Sequence, residues 1–274
     1  MRLGIYAPQG WFGEFDGVEP AVAWARSVEV VRRAEARGAD SVWAADHLDT
    51  MPDHPNGTTF ESHTTLTGMA GVTDRVELGQ LVACVGFRRP ALLIKATDTL
   101  HAVSRGRAVL GVGAGWYAAE WERAGFGPFP APGDRLAELE QCLVHAREFF
   151  PSMVDGGPRV VVGGNGPKVN WRLAARLADE LNLGGMAPGD VAHALPVIAS
   201  RCEEIGRDPA TLPVSVWVGG LDADGDDAVD VLRRYADVGA SRVMVYRRSW
   251  AADPPAVEGL FDQAVRAGTE LIQS

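Results

Sequence analysis

A (β/α)8 barrel is the fold class this sequence predicts, and three observations predict it. Strand-like and helix-periodic runs alternate strictly through eight units, which demands a parallel sheet whose right-handed crossovers close most naturally on themselves. The 274 residues match what such a barrel occupies as one domain, so 1–274 are expected to form a single unit. The glycine run GVGAG at 111–115 departs from the dinucleotide fingerprint GxGxxG, because Trp116 stands where its last glycine belongs, and no other stretch meets that pattern. A doubly wound open sheet is the alternative architecture.

The first unit opens with residues 3–8 (LGIYAP), a buried strand, followed by helical spacing over 20–37 with Gly38 as C-cap. Residues 41–45 (SVWAA) form the second strand and end at Asp46 and His47, after which the Pro, Asp, Asn and Gly of 48–59 make a loop. Residues 60–72 read as helix, 76–84 (VELGQLVAC) as the third strand, and 90–103 as a helix with Pro90 favourable at its start. The fourth strand spans 107–113. A short helical piece follows over 116–124, then the Gly and Pro cluster of 125–133 and a long helix over 134–150 with Asp134 as cap. In the fifth unit VVV at 160–162 runs into Gly163, Gly164, Asn165 and Gly166 and then a helix-periodic segment. Residues 181–183, 214–218 and 242–246 supply the remaining strands, and 190–205, 224–238 and 255–271 the remaining helices.

Composition removes several functions. The apolar fraction is 46%, and no uninterrupted apolar run is long enough to cross a bilayer, which excludes a membrane partner. A core strand beginning at Leu3 leaves no room for a secretory leader, so a cytoplasmic location is expected. A net charge of −10 argues against nucleic acid, whose phosphates need clustered Lys and Arg. Cys84, Cys142 and Cys202 are too few and too far apart for a disulfide framework or zinc site, and their odd number fits a reducing compartment. The six histidines include no HExxH pair and there is no GxxxxGK[ST] loop, so no metal is expected.

In a barrel the strand C-terminal ends converge on one face, which gathers Asp46, His47, Cys84, Gly113 and the 163–166 turn around one pocket. The glycines let successive N–H groups point inward before the next helix, an arrangement suited to a phosphate, and Lys168 in that helix's first turn would favour an anion. A bare strand-to-helix turn is the other reading. His47 suits proton transfer near neutral pH, or else caps its strand by bonding to Asp46. Cys84 reads as a small apolar residue under a cofactor rather than a reactive thiol. Trp11, Trp43 and Trp116 could wall a flat ring or simply pack in the core. No nucleophile with its own base and no pair of carboxylates is evident, so a bound cofactor is expected to carry the hard chemistry.

Four runs together resemble the bacterial luciferase-like superfamily of flavin- and deazaflavin-dependent oxidoreductases. They are SVWAADHL (41–48), FESHTTLTGMAGVTDRVELGQLV (60–82), CVGFRRPALLIKATDTLHAVSRGRAVLGVGAGW (84–116), and VGGNGPK (162–168) followed by ARLADELNLGG (175–185). Within it FRRPALLIKA and GVGAGWYAAEW look most like the coenzyme F420-dependent members. The resemblance implies a (β/α)8 barrel with the cofactor ring over the strand ends and its phosphate near Gly163, Gly164, Asn165 and Gly166. It also implies a strained, often non-prolyl cis, peptide at Cys84 and Val85, and His47 beside the reactive ring position. The activity implied is hydride transfer between reduced F420 and a small organic substrate. An FMNH2-dependent monooxygenase and a flavin-binding protein without catalysis are the alternatives, and a homodimer is the expected assembly.

Three features depart from the family pattern. Some F420-dependent members place a catalytic carboxylate directly after the fourth-strand glycine, where this chain has Trp116, leaving the proton source open. The segment 150–159 is shorter than in most relatives, which opens the pocket or leaves its closure to a partner. His63 stands where an aromatic residue usually begins the third unit's helix, and an exposed position is expected for it.

Overall fold

The computed structural model describes residues 1–50, 57–150, 156–219 and 228–267. Its strands are β1 (Arg2–Tyr6), β2 (Ser41–Ala44), β3 (Glu77–Gln80), β4 (Ala83–Cys84), β5 (Ala108–Gly113), β6 (Arg159–Gly163), β7 (Glu180–Gly184), β8 (Val214–Val218) and β9 (Arg242–Val245). All pair in parallel, in the order β3-β2-β1-β9-β8-β7-β6-β5-β4. β3 also pairs with β5 through Leu78↔Ala108 and Gly79↔Val109, and β4 pairs further along it through Ala83↔Val112 and Cys84↔Gly113. β3 and β4 are therefore two halves of one barrel strand, and the ring of eight closes.

Helices cover the outside: α1 (Pro20–Ala36), α2 (Ser62–Ala70), α3 (Pro90–Val103), α4 (Ala118–Arg123), α5 (Pro132–Phe149), α6 (Asn170–Leu177), α7 (Pro188–Glu203), α8 (Ala228–Asp237) and α9 (Val257–Arg266). Strand residues that face both a helix and the barrel interior need apolar side chains on both faces, which is why Val160, Val161 and Val162 run without alternation. Val160 and Val162 join the layer under the helices, while Val161 joins Tyr6, Trp43, Val109 and Met244 inside the barrel. At the N-terminal end of the barrel the fully buried Arg242 is ion-paired with Asp40 (2.8 Å) and Glu77 (2.6 Å), and Glu180 with Arg159 (2.6 Å). Trp43 belongs to this interior, its indole N–H donating to Ser41 and its ring lying 5.6 Å from the Arg242 guanidinium, so it walls no ligand site.

The predicted units are present, with corrections. The third strand is not continuous over 76–84, because residues 81 and 82 bulge between β3 and β4, and the non-prolyl cis bond joins Leu81 to Val82 rather than Cys84 to Val85. The surrounding glycines explain the place: a Cβ on Gly111 would lie 1.9 Å from the Gln80 carbonyl oxygen, and one on Gly113 or Gly163 within 2.5 or 2.7 Å of Val82. Only missing side chains leave room for a bulge here. The helix read from Asp134 starts two residues earlier, with Pro132 in its first turn and Ala131 as cap. Its Asp134 complements the helix dipole instead. Positions 51–56, 151–155, 224–227 and 268–271, which include most of the shortened segment and the ends of two expected helices, lie outside the described residues.

Candidate active site

The strand C-terminal ends open into one cavity of about 930 Å3. Its polar centre is built by loops that follow the first two strands. Glu14 accepts from the N–H groups of Gln9, Gly10 and Phe12, which folds the loop after β1 tightly, and the Gln9 amide ties that loop to the end of β2 by bonding both ways with Ala45. These bonds lay Trp11 flat on His47, with ring centroids 4.5 Å apart and planes 8° from parallel.

His47 does not bond to Asp46. Its Nδ1 lies 2.9 Å from Oε2 of Glu120, a residue of α4 that sequence reasoning missed. Glu120 is 1% exposed and its other oxygen accepts from the N–H groups of Leu48 and Asp49 at 2.7 and 3.1 Å. A carboxylate with these donors can only accept, so Nδ1 carries the hydrogen and Nε2 is left for a pocket ligand. The carboxylate that the sequence lacked at Trp116 arrives four residues later, one helical turn into the connection between β5 and α5. The signal was the GWYAAEW run itself: Glu120 and Trp121 sit on the inward face of a short helix.

Asp46 is spent elsewhere. It takes a bidentate pair from Arg88 (2.6 and 2.8 Å), the N–H of Cys84 (3.0 Å) and the hydroxyl of Ser62 (2.7 Å), so it fixes the third strand to the second. Arg88 reaches on to Glu61, whose carboxylate caps α2. Burial alone would raise the Glu61 carboxyl, but contact with His63 and the N–H groups of Thr64 and His63 hold it below the usual carboxylate range. His63 is not exposed as expected: only 12% of its side chain meets solvent, because the helix start folds it against Glu61.

The remaining expected site residues divide. Cys84 lines the cavity, and burial pushes its thiol up to about 11, which keeps it neutral and unreactive at pH 7. Val85 does not reach the cavity; it starts a short 3-10 turn and is buried in the core beneath the helices. Gly113 and Gly163 line the cavity, but both need to be glycine because Val82 occupies the space of their side chains. Gly164, with φ +137°, Asn165 and Gly166 continue the lining. Asn165 pins the turn by bonding to both the N–H and the carbonyl of Gly184. Lys168 precedes α6 rather than standing in its first turn, since that helix begins at Asn170. Of the three candidate tryptophans, Trp11 and Trp116 wall the cavity.

A closed parallel barrel with an apolar cavity at its strand ends, a histidine–carboxylate pair and a glycine-rich turn defines a protein built to hold a ligand at that face. The model of the luciferase-like monooxygenase family matches residues 1–267, and the chain belongs to that family. It is similar to the phthiodiolone/phenolphthiodiolone dimycocerosates ketoreductase of Mycobacterium bovis, 27% identical over 260 residues that cover 80% of this chain and 66% of the relative. The chain thus matches just under two thirds of that relative's length. Among solved structures, an F420-dependent secondary alcohol dehydrogenase in complex with an F420-acetone adduct superposes with a TM-score of 0.78 at 19% identity, covering 98% of this chain and 99% of the other. The oxygenating constituent of 3,6-diketocamphane monooxygenase from Pseudomonas putida, in complex with FMN, gives 0.74 at 14% identity, covering 100% and 99%. These likenesses confirm the barrel.

Proposed function

We propose that the chain is an F420-dependent oxidoreductase that passes a hydride between the reduced deazaflavin and a small organic substrate. The observation that carries this reading is the His47–Glu120 pair, which lines the same cavity as the 163–168 turn. The residues present fit such a cofactor. A flat ring needs apolar surface, which Val82 and Cys84 supply, and a phosphate needs free donors. Among the described residues the N–H groups of Asn165, Gly166 and Lys168 meet no protein acceptor, and Lys168 brings an ammonium to the same turn. Relatives whose names include a ketoreductase and an F420-dependent dehydrogenase support the same reading.

When bound, the cofactor supplies the hydride. The chain supplies the rest. Glu120 fixes the tautomer and orientation of His47, so that Nε2 holds or releases the proton that must accompany a hydride. Trp11 fixes the ring from its face and excludes water on that side. Asp46 and Arg88 hold the Cys84 wall in place. Cys84, Gly113, Gly164, Asn165 and Gly166 are proposed cofactor contacts, with His47 catalytic and Asp46 acting only through the wall it holds. The whole of 1–274 is read as one barrel unit, working as a homodimer in the cytoplasm; among the described residues no helix is long and apolar enough to cross a membrane.

Anaerobic titration with F420 and FMN, each oxidised and reduced, tests the reading. F420 is expected to bind at least about tenfold tighter, a difference of about 1.4 kcal/mol. Tighter FMN binding would favour an FMNH2-dependent monooxygenase, the reading the FMN-bound neighbour supports. Binding of neither would leave a barrel without this activity.

A further inference from the structure

The sequence holds two Asn-Gly pairs, at 56–57 and 165–166, and Asn56 lies outside the described residues. Such a pair is chemically distinct because glycine has no Cβ, so its backbone nitrogen can close on the side-chain carbon of the asparagine before it. A fold prevents this by binding that N–H in a helix or strand and by burying the amide. Neither safeguard operates at 165–166. Both residues are exposed, in the turn between β6 and α6, and the Gly166 N–H meets no protein acceptor among the described residues. Asn170 and Asn182 are the contrast: both are buried, one opens α6 and the other lies in β7, and each is followed by a bulky residue, Trp171 or Leu183.

What restrains Asn165 is the grip of its own side chain on the next strand. Oδ1 accepts from the Gly184 N–H at 3.1 Å and Nδ2 donates to the Gly184 carbonyl at 2.9 Å, which holds the amide toward the end of β7. Both bonds are exposed and compete with water, so releasing the amide costs little. An anion on the turn changes the balance. The free Gly166 N–H is one of the donors that would face it, and a nitrogen that keeps its proton in such a bond cannot attack.

We propose that Asn165 is a deamidation site gated by anion occupancy of its turn: with the turn empty the Gly166 nitrogen attacks the side-chain amide, and the carboxylate left behind disables the turn for phosphate. In this step the Gly166 N–H gives up its proton, a bond forms from its nitrogen to Cγ of Asn165, and the Cγ–Nδ2 bond breaks, the departing nitrogen taking a proton to leave as ammonia. Water then opens the ring imide at either carbonyl, giving aspartate or isoaspartate, with no oxidant or reductant required. The product is ionised at neutral pH and cannot donate to the Gly184 carbonyl, so half of the clamp becomes a repulsion between oxygens. Its negative charge also opposes any anion at the turn. That the natural anion is a cofactor phosphate rests on the functional reading above; the reactivity of Asn165 does not.

Peptide mapping by mass spectrometry tests this on the protein incubated at mildly alkaline pH in chloride, in inorganic phosphate at equal ionic strength, or in chloride with oxidised F420. Each rate at Asn165 is taken relative to a synthetic peptide spanning 162–168 in the same solution, which removes catalysis by the buffer. Asn165 is expected to gain the mass of an acid faster than Asn170 and Asn182, and severalfold more slowly with phosphate or F420 than in chloride alone. Gly166→Ala, whose methyl would meet only the Asn170 Cβ at 3.4 Å, should preserve Asn165 by hindering the attack while the melting temperature is kept. In calorimetry Asn165→Asp should bind inorganic phosphate about tenfold more weakly than the unaltered protein. An Asn165 that reacts no faster than Asn170 and Asn182, that reacts equally fast with and without phosphate, or whose change to Asp leaves phosphate affinity intact would overturn the proposal. Protection by phosphate but not by F420 would sink the functional reading and leave the proposal standing.

Discussion

His47 and Glu120 act as one unit, in which the imidazole faces the ligand and the carboxylate decides which of its nitrogens carries the hydrogen. His47→Ala should therefore lower kcat by about 10² or more, while the melting temperature changes little. Glu120→Gln keeps the shape but can accept at one oxygen only, so if that oxygen keeps the Leu48 and Asp49 N–H groups, its NH2 must donate to Nδ1 and force His47 into the opposite tautomer. A kcat loss of about 10–10² with a displaced pH–rate profile is expected, whereas a purely structural Glu120 would leave that profile in place. Cys84 gives a third residue-scale test. With its thiol held up to about 11, iodoacetamide should label it negligibly at pH 7 and appreciably only as the pH nears that value; rapid labelling at pH 7 would show a thiolate the site does not support. His47 was legible in the sequence because a strand end precedes it. Its partner was not, since Glu120 is 73 residues away and only the closed barrel brings them together.

Among the elements, the split third strand shows where periodicity stops being informative. VELGQLVAC reads as one strand because bulge residues are as apolar as strand residues, yet Leu81 and Val82 leave the ladder between β3 and β4. The glycines that permit this lie on β5 and β6, so no local pattern reveals it. Gly163 reads in the sequence as part of a phosphate turn, whereas in the fold the space it leaves is filled by Val82. Gly163→Ala should consequently destabilise the protein by about 1–3 kcal/mol through overpacking, measurable by urea unfolding, in the absence of any anion. An unchanged stability would return Gly163 to a role in ligand binding alone. α4 is the other element that matters to the site, because a helix of six residues placed between β5 and α5 delivers both Glu120 and Trp121 to the cavity. Its residue types could be read from the sequence, but not which of them face the cavity.

For the whole molecule, the eight-fold alternation made the barrel legible from sequence, since each unit carries its own strand and helix signals and closure follows from their number. The ionic cluster at the opposite end was not legible, because Asp40, Glu77, Glu180 and Arg242 come from four strand starts. Burial would raise the Glu77 carboxyl, but Arg242, Arg159 and Arg2 outweigh it and hold it below its ordinary 4.5, as the α2 start does for Glu61. Groups depressed in the folded state contribute stability that is full above about 4.5 and is lost as pH falls through their folded values. The melting temperature should accordingly drop below pH 4.5, and Glu61→Gln with Glu77→Gln should flatten that decline. Hydride transfer itself can be followed with an isotope label. With reduced F420 deuterated at the ring's reactive carbon and acetophenone as acceptor, deuterium is expected on the carbinol carbon of 1-phenylethanol, with no oxygen uptake. Label lost to water together with oxygen consumption and an oxygenated product would show that no hydride is transferred.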